Sequence, residues 1–152
     1  MSYGRGFYRL LLATIFVLMG TLISSNSLAQ KFDDGPNADK DYPFSESAKV
    51  SSLLFLSGQV GDTVNGELVE GGIVPETHQV MKNINDVLAR RGLTFDNVVK
   101  CTAFLADVNE WSTFNQVYVS YLKKPYPARS ALGANGLALG ARVELECIAD
   151  YQ

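Results

Sequence analysis

The sequence predicts an α+β domain, a mixed β-sheet with two helices packed on one face. Three observations carry this expectation. Two stretches, residues 75–91 and 110–122, repeat apolar side chains at helical spacing. Several short runs are rich in β-branched and aromatic residues, as strands are. Their order is strand and hairpin, helix, strand, helix, strand, strand, with no internal repeat, and helices layered on one side of a sheet suit that order.

Taken from the start, "MSYGRGFYR" is basic and free of acids, residues 10–23 are apolar, and "SSNSLAQ" offers Ser27 and Ala29 in the small-x-small arrangement of a cleavage site. Residues 1–29 therefore read as a secretory signal peptide, its apolar run shorter than a spanning helix wants, with a cut expected after Ala29 and an uncleaved membrane anchor as the alternative. That assigns the protein to the periplasm or the exterior, with no membrane association after cleavage. Residues 30–43 open an extended polar arm, acidic and broken by Pro36 and Pro43, and the compact domain is expected over 44–152.

Within the domain, "LLFLSGQVG" (53–61) is a buried strand stopped by glycines. Asn65-Gly66 is the preferred pair for a tight hairpin turn. Pro75 suits the first turn of a helix whose Val80, Ile84, Val87 and Leu88 share one face, and Gly92 ends it near Arg91. "DNVVKCTAFLAD" (96–107) reads as a central strand. Asn109 can cap the second helix, whose Trp111, Phe114, Tyr118, Tyr121 and Leu122 form an aromatic face expected in the core. Pro125 and Pro127 turn the chain into "ARSALGAN" and "ARVELECIAD", two strands expected to pair across a glycine-rich turn.

Charge and reactive groups narrow the function. The 13 basic and 16 acidic residues include Arg5 and Arg9 in the signal segment, so residues 30–152 hold 11 basic and 16 acidic groups, a formal charge of −5. A nucleic-acid partner is not expected of a chain without a basic stripe. Cys101 and Cys147 lie in apolar strand-like runs and read as two buried thiols, with a disulfide as the alternative. His78 is the single histidine, expected at the surface of the first helix. No CxxC or HExxH spacing is present, so a histidine-rich metal site is excluded.

On the last strand Arg142, Glu144, Glu146 and Ile148 share one face, and Val143, Leu145, Cys147 and Ala149 share the other. Arg129, on the strand before, is a candidate cation for the carboxylates. Two readings follow from patterning: an arginine–glutamate pair that closes a sheet edge, or a pocket in which the guanidinium grips a ligand carboxylate while a glutamate handles water.

The segment "YPARSALGANGLALGARVELECIAD", with "LFLSGQVG", "ETHQVMKNI" and "DNVVKCTAFLADVNEWSTFNQVY" before it, resembles the RidA (YjgF) family from about Asp41 to the end. The resemblance implies a chorismate-mutase-like fold, a homotrimer with a pocket at each subunit interface, and hydrolysis of imines and enamines of the 2-iminobutanoate/2-iminopropanoate deaminase type, with no metal or organic cofactor. It implies Arg129 as binder of the substrate carboxylate and Glu144 as the group that positions the attacking water. It also implies Ser57, Gly58, Asn115, Phe44 and Ala131 as lining residues. Phe44 lacks the hydroxyl of the family's frequent tyrosine, and Ala131 stands where cysteine is frequent. The alternative is a non-enzymatic binder of small 2-oxo carboxylates in the cell envelope. RNA cleavage, attributed to relatives, is opposed by the net charge.

Overall fold

The computed structural model describes residues 30–152; the signal segment and its expected cut after Ala29 fall outside the described residues. The chain runs β1 (Lys31–Asp33), β2 (Ser47–Val50), β3 (Leu53–Leu56), β4 (Gln59–Val60), α1 (Ile73–Arg90), β5 (Val98–Leu105), α2 (Trp111–Ser120), β6 (Ala128–Gly133) and β7 (Val143–Asp150). The sheet order is β1-β2-β3-β7-β5-β6, with β4 also paired to β7. Every pairing is antiparallel except β5 with β6, which is parallel. This is the mixed sheet with two helices that the sequence predicts.

Helix α1 forms because its apolar residues recur on one face: Val80, Met81, Ile84 and Leu88 are fully buried and meet Leu54, Leu105 and Leu145 of the sheet in one core. It starts at Ile73, ahead of the expected Pro75, which lies within the first turn. It ends as expected at Gly92, whose φ of 72° lets the Gly92 and Leu93 amides turn back to the carbonyls of Ala89 and Leu88. Gly61 permits α1 to lie close on the sheet, since a Cβ there would come within 2.9 Å of the Glu76 backbone. A turn forms at this point but one residue earlier than expected: the Gly66 amide donates to the Thr63 carbonyl, so Val64 and Asn65 are its central pair. No helix among the described residues is long and apolar enough to cross a membrane.

Several expectations are corrected. The two C-terminal strands do not pair with each other. Strand β7 has both edges occupied, by β3 and β4 on one side and β5 on the other, so β6 takes the free edge of β5 through the α2 crossover. The strand expected at 53–61 is interrupted: between the pairs Phe55–Ile148 and Gln59–Leu145 one side advances one residue more than the other, a bulge at Ser57-Gly58. The polar arm begins with a short strand: Lys31–Asp33 adds an edge to β2, and Asp33 pairs with Arg91 at the end of α1. Asp107, not Asn109, caps the turn leading into α2, accepting from the Asn109 amide at 2.9 Å. Trp111 lies 41 % exposed, outside the core assigned to it.

The cysteines are not free thiols. Cys101 and Cys147 form a buried disulfide between directly paired residues of β5 and β7, with Cα atoms 4.1 Å apart. Cross-strand register brings the two sulfurs together, and register is what composition alone does not report. His78 is half-buried, and its Nδ1 lies 2.9 Å from the Tyr121 hydroxyl, tying α1 to α2.

Candidate functional site

Strand register decides which face each charged residue takes. Arg129 is paired with Cys101, which is itself paired with the core-facing Cys147, so Arg129 looks toward the helices. Ala131, two residues on, shares that face and packs against the core. Glu144 lies three residues from Cys147 and so emerges on the opposite, open face, in register with Val60 and Phe104. Strand β5 stands between the two. The expected meeting of Arg129 and Glu144 within one chain does not occur, and neither does an edge-closing salt bridge: among the described residues Arg129 has no ion pair.

On the helix side, the Arg129 guanidinium lies over two aromatic rings of α2, 5.4 Å from the centroid of Phe114 and 4.9 Å from that of Tyr118. Residues 114, 115 and 118 fall on one stripe of the helix. Asn115 Oδ1 and the Tyr118 hydroxyl are both buried and have no hydrogen-bond partner among the described residues. Burial pushes the Tyr118 phenol above its ordinary value, and the nearby Arg129 charge opposes this more weakly. On this half of the site a guanidinium with no ion pair among the described residues therefore lies beside one unsatisfied hydroxyl and one unsatisfied acceptor oxygen.

On the open face, burial raises the Glu144 carboxyl above its ordinary value, and repulsion from Glu146 adds to the effect. The bulge makes room for it. The Glu144 side chain rests on Gly58, where a Cβ would lie 2.8 Å from Cδ and 3.1 Å from Cγ. Ser57 secures the bulge: its hydroxyl donates to the Ser45 carbonyl at 2.7 Å and its amide to the Glu46 carbonyl at 3.0 Å. Phe44 is 58 % exposed and stacks on Tyr42 with ring centroids 5.3 Å apart. The structure therefore groups Arg129, Asn115 and Ala131 in one half-site and Glu144, Gly58 and Ser57 in another.

Sequence reasoning missed two residues here. Tyr118 was expected only as core, and its lone hydroxyl gives no sequence signal. Glu76 is buried in α1 at 5 % exposure and accepts the Arg142 amide at 2.7 Å, which fixes the start of β7 two residues before Glu144. The signal it leaves in the sequence is an acid inside the apolar stripe of an amphipathic helix. Arg142, by contrast, is occupied by Glu110 at 2.7 Å. Among the described residues no group of three or more His, Cys, Asp or Glu side chains is placed to hold a metal ion.

The fold is thus an α+β domain whose seven-stranded sheet carries a bulge-seated carboxylate on one face and, at the edge strand β6, an arginine with no ion pair among the described residues on the other. The chain belongs to the family described as Endoribonuclease L-PSP, which matches residues 36–151 and is the RidA (YjgF) family of the sequence resemblance. Among its relatives, a mouse protein named 2-iminobutanoate/2-iminopropanoate deaminase is 44 % identical over 108 residues, covering 70 % of this chain and 80 % of the relative. The human protein of the same name is 41 % identical over 108 residues, covering 70 % and 79 %. A crystal structure of a Rid-family protein of unknown function from Yersinia pestis shares 38 % identity at a TM-score of 0.74, covering 80 % of this chain and 99 % of that one. RidA from an Antarctic Psychrobacter shares 34 % at 0.70, covering 79 % and 96 %.

Proposed function

We propose that this protein hydrolyses small imines, and the enamines that tautomerise to them, derived from 2-amino acids, releasing the 2-oxo acid and ammonia. The observation that carries the reading is the Arg129 guanidinium, which is half-buried at a sheet edge, lies over two aromatic rings and has no carboxylate of its own among the described residues. A forked cation left without an anion suits a ligand carboxylate. The deaminase names of relatives above 40 % identity agree with this class of substrate.

The two half-sites face opposite sides of the sheet, so they combine only between copies. The open face presents Phe55 and Leu132, 40 % and 44 % exposed, beside Glu144. Covering it with a second copy brings the Arg129 edge of one subunit to the Glu144 face of the next, and a closed ring of three satisfies every subunit alike. In that pocket Arg129 holds the carboxylate and orients C2. Glu144 takes a proton from water as its oxygen bonds to C2 and passes that proton to the imine nitrogen, giving the carbinolamine. The hydroxyl proton of the carbinolamine then passes through Glu144 to the nitrogen as the C2–N bond breaks, so the C2 carbonyl forms and ammonia leaves. A carboxylate raised by burial is a stronger base than an ordinary one and holds the proton long enough to hand it to nitrogen.

The disulfide agrees with folding in an oxidising compartment, as the signal segment of residues 1–29 would require, and we place the mature protein in the periplasm or outside the cell. N-terminal sequencing of protein from an expressing bacterium should begin at Gln30. The formal charge of −5 over residues 30–152 disfavours RNA as substrate.

The test is ammonia release from imines generated in the assay by an amino-acid oxidase, with light scattering on the same sample. Release above the uncatalysed rate, by a particle of three times the subunit mass, supports the proposal. Binding of 2-oxo acids without ammonia release would instead indicate a non-enzymatic binder. A monomer at micromolar concentration would overturn the interfacial pocket.

A further inference from the structure

Tyr118 is buried at 3 % exposure in the middle of α2, yet its hydroxyl has no partner among the described residues. A buried phenol ordinarily finds one, because an unmade hydrogen bond away from water is costly. Phenylalanine would fill the same space without that cost, and Phe114 one turn earlier does so. Three residues before it, Asn115 Oδ1 is orphaned in the same way. The two orphans share the stripe of α2 that Arg129 lies over, its guanidinium nearer the Tyr118 ring than the Phe114 ring. Polar atoms left unsatisfied beside an unpaired cation indicate a partner that the protein itself does not supply.

We propose that Tyr118 is a further substrate-binding residue: its hydroxyl donates a hydrogen bond to the carboxylate that Arg129 grips, while Asn115 Oδ1 accepts from the substrate nitrogen. The inference rests on the functional reading above and extends it. In the free protein Arg129 rests on the aromatic pair. Among the described residues no ion pair anchors the guanidinium there, so engaging a carboxylate draws it off the rings and opens the hydroxyl to the ligand. Burial keeps the phenol protonated, and so a donor, across the physiological range. The chemistry selects a ligand with a carboxylate next to an N–H. A 2-oxo acid offers the carboxylate but only acceptors beside it, leaving Asn115 Oδ1 unsatisfied, which favours release of product over retention.

Tyr118→Phe removes a single oxygen and tests the proposal. Three measurements decide it: the thermal midpoint, the kcat and KM for imine hydrolysis, and calorimetric affinity for 2-oxobutanoate. The expected result is a KM raised about tenfold or more, 2-oxobutanoate affinity weakened by a similar factor, and a midpoint equal to wild type or higher. Kinetics and affinity within twofold of wild type overturn the inference while leaving the functional reading intact. A midpoint several degrees lower, or failure to fold, shows that the hydroxyl has a partner inside the protein and also overturns it. If wild type neither binds 2-oxobutanoate nor releases ammonia, the functional reading falls and this inference with it.

Discussion

Gly58→Ala isolates the placement of one carboxylate from everything else in the fold. Gly58 is not in the left-handed region, so alanine suits its backbone, and the unfolded chain loses freedom in a way that favours the variant slightly. The added methyl would fall on Glu144 Oε1 and lie 2.8 Å from its Cδ, whereas carbon atoms rest at about 3.5–4.0 Å, so the carboxyl must retreat by at least about 1 Å. The obstructing atoms are the end of a flexible side chain, which can turn aside, and stability should change by less than about 1 kcal/mol. Catalysis is less forgiving. A misplacement of about 1 Å in a reacting group can cost about 10²-fold. The assay is kcat/KM for imine hydrolysis beside a thermal melt, repeated on Gly58→Ala with Glu144→Gln. We expect activity down about 10²-fold, an unchanged melt, and little further loss in the double variant, since both changes disable one group. Activity within threefold of wild type would refute the role given to the Glu144 position, and a collapsed melt would show that Gly58 is needed by the fold instead.

Arg129→Lys keeps the charge but loses the fork, so kcat/KM should fall steeply while the melt moves little, there being no ion pair to break; a large drop in melting temperature would restore a structural role. Glu144→Gln should lower turnover about 10²-fold and leave 2-oxobutanoate binding intact by calorimetry. Because the folded carboxyl titrates above its ordinary value, ionisation is disfavoured in the native state, and wild-type stability is lower above that raised value than below the ordinary range. Glu144→Gln should therefore melt slightly higher at neutral pH, an advantage that fades as the solution is acidified, and the acid limb of the wild-type rate profile should have its midpoint above the ordinary carboxylate value. Replacing both cysteines by alanine opens a link between residues 46 apart and should cost about 2–4 kcal/mol in denaturant unfolding; no change would mean that the bridge does not form in solution.

Local signals in the sequence determined the helices, the turns and the alternation of the last strand. Val80, Ile84, Val87 and Leu88 recur at the helical period, Gly92 is suited to the left-handed residue past a helix end, and Glu144 and Cys147 differ in face because side chains alternate. Each of these depends only on near neighbours in the chain. What lay beyond reach was pairing at long separation. The partner of β6 follows from which strand edges remain free once β7 is flanked on both sides, a property of the whole sheet. The Cys101–Cys147 bridge needs a register between strands, and the seat of Glu144 on Gly58 needs the bulge that offsets it. Arg129 and Glu144 stood out in the sequence as chemistry-bearing residues, but only the tertiary structure put them on opposite faces. One intervening strand and one residue of register decide that, and neither leaves a mark on composition or spacing.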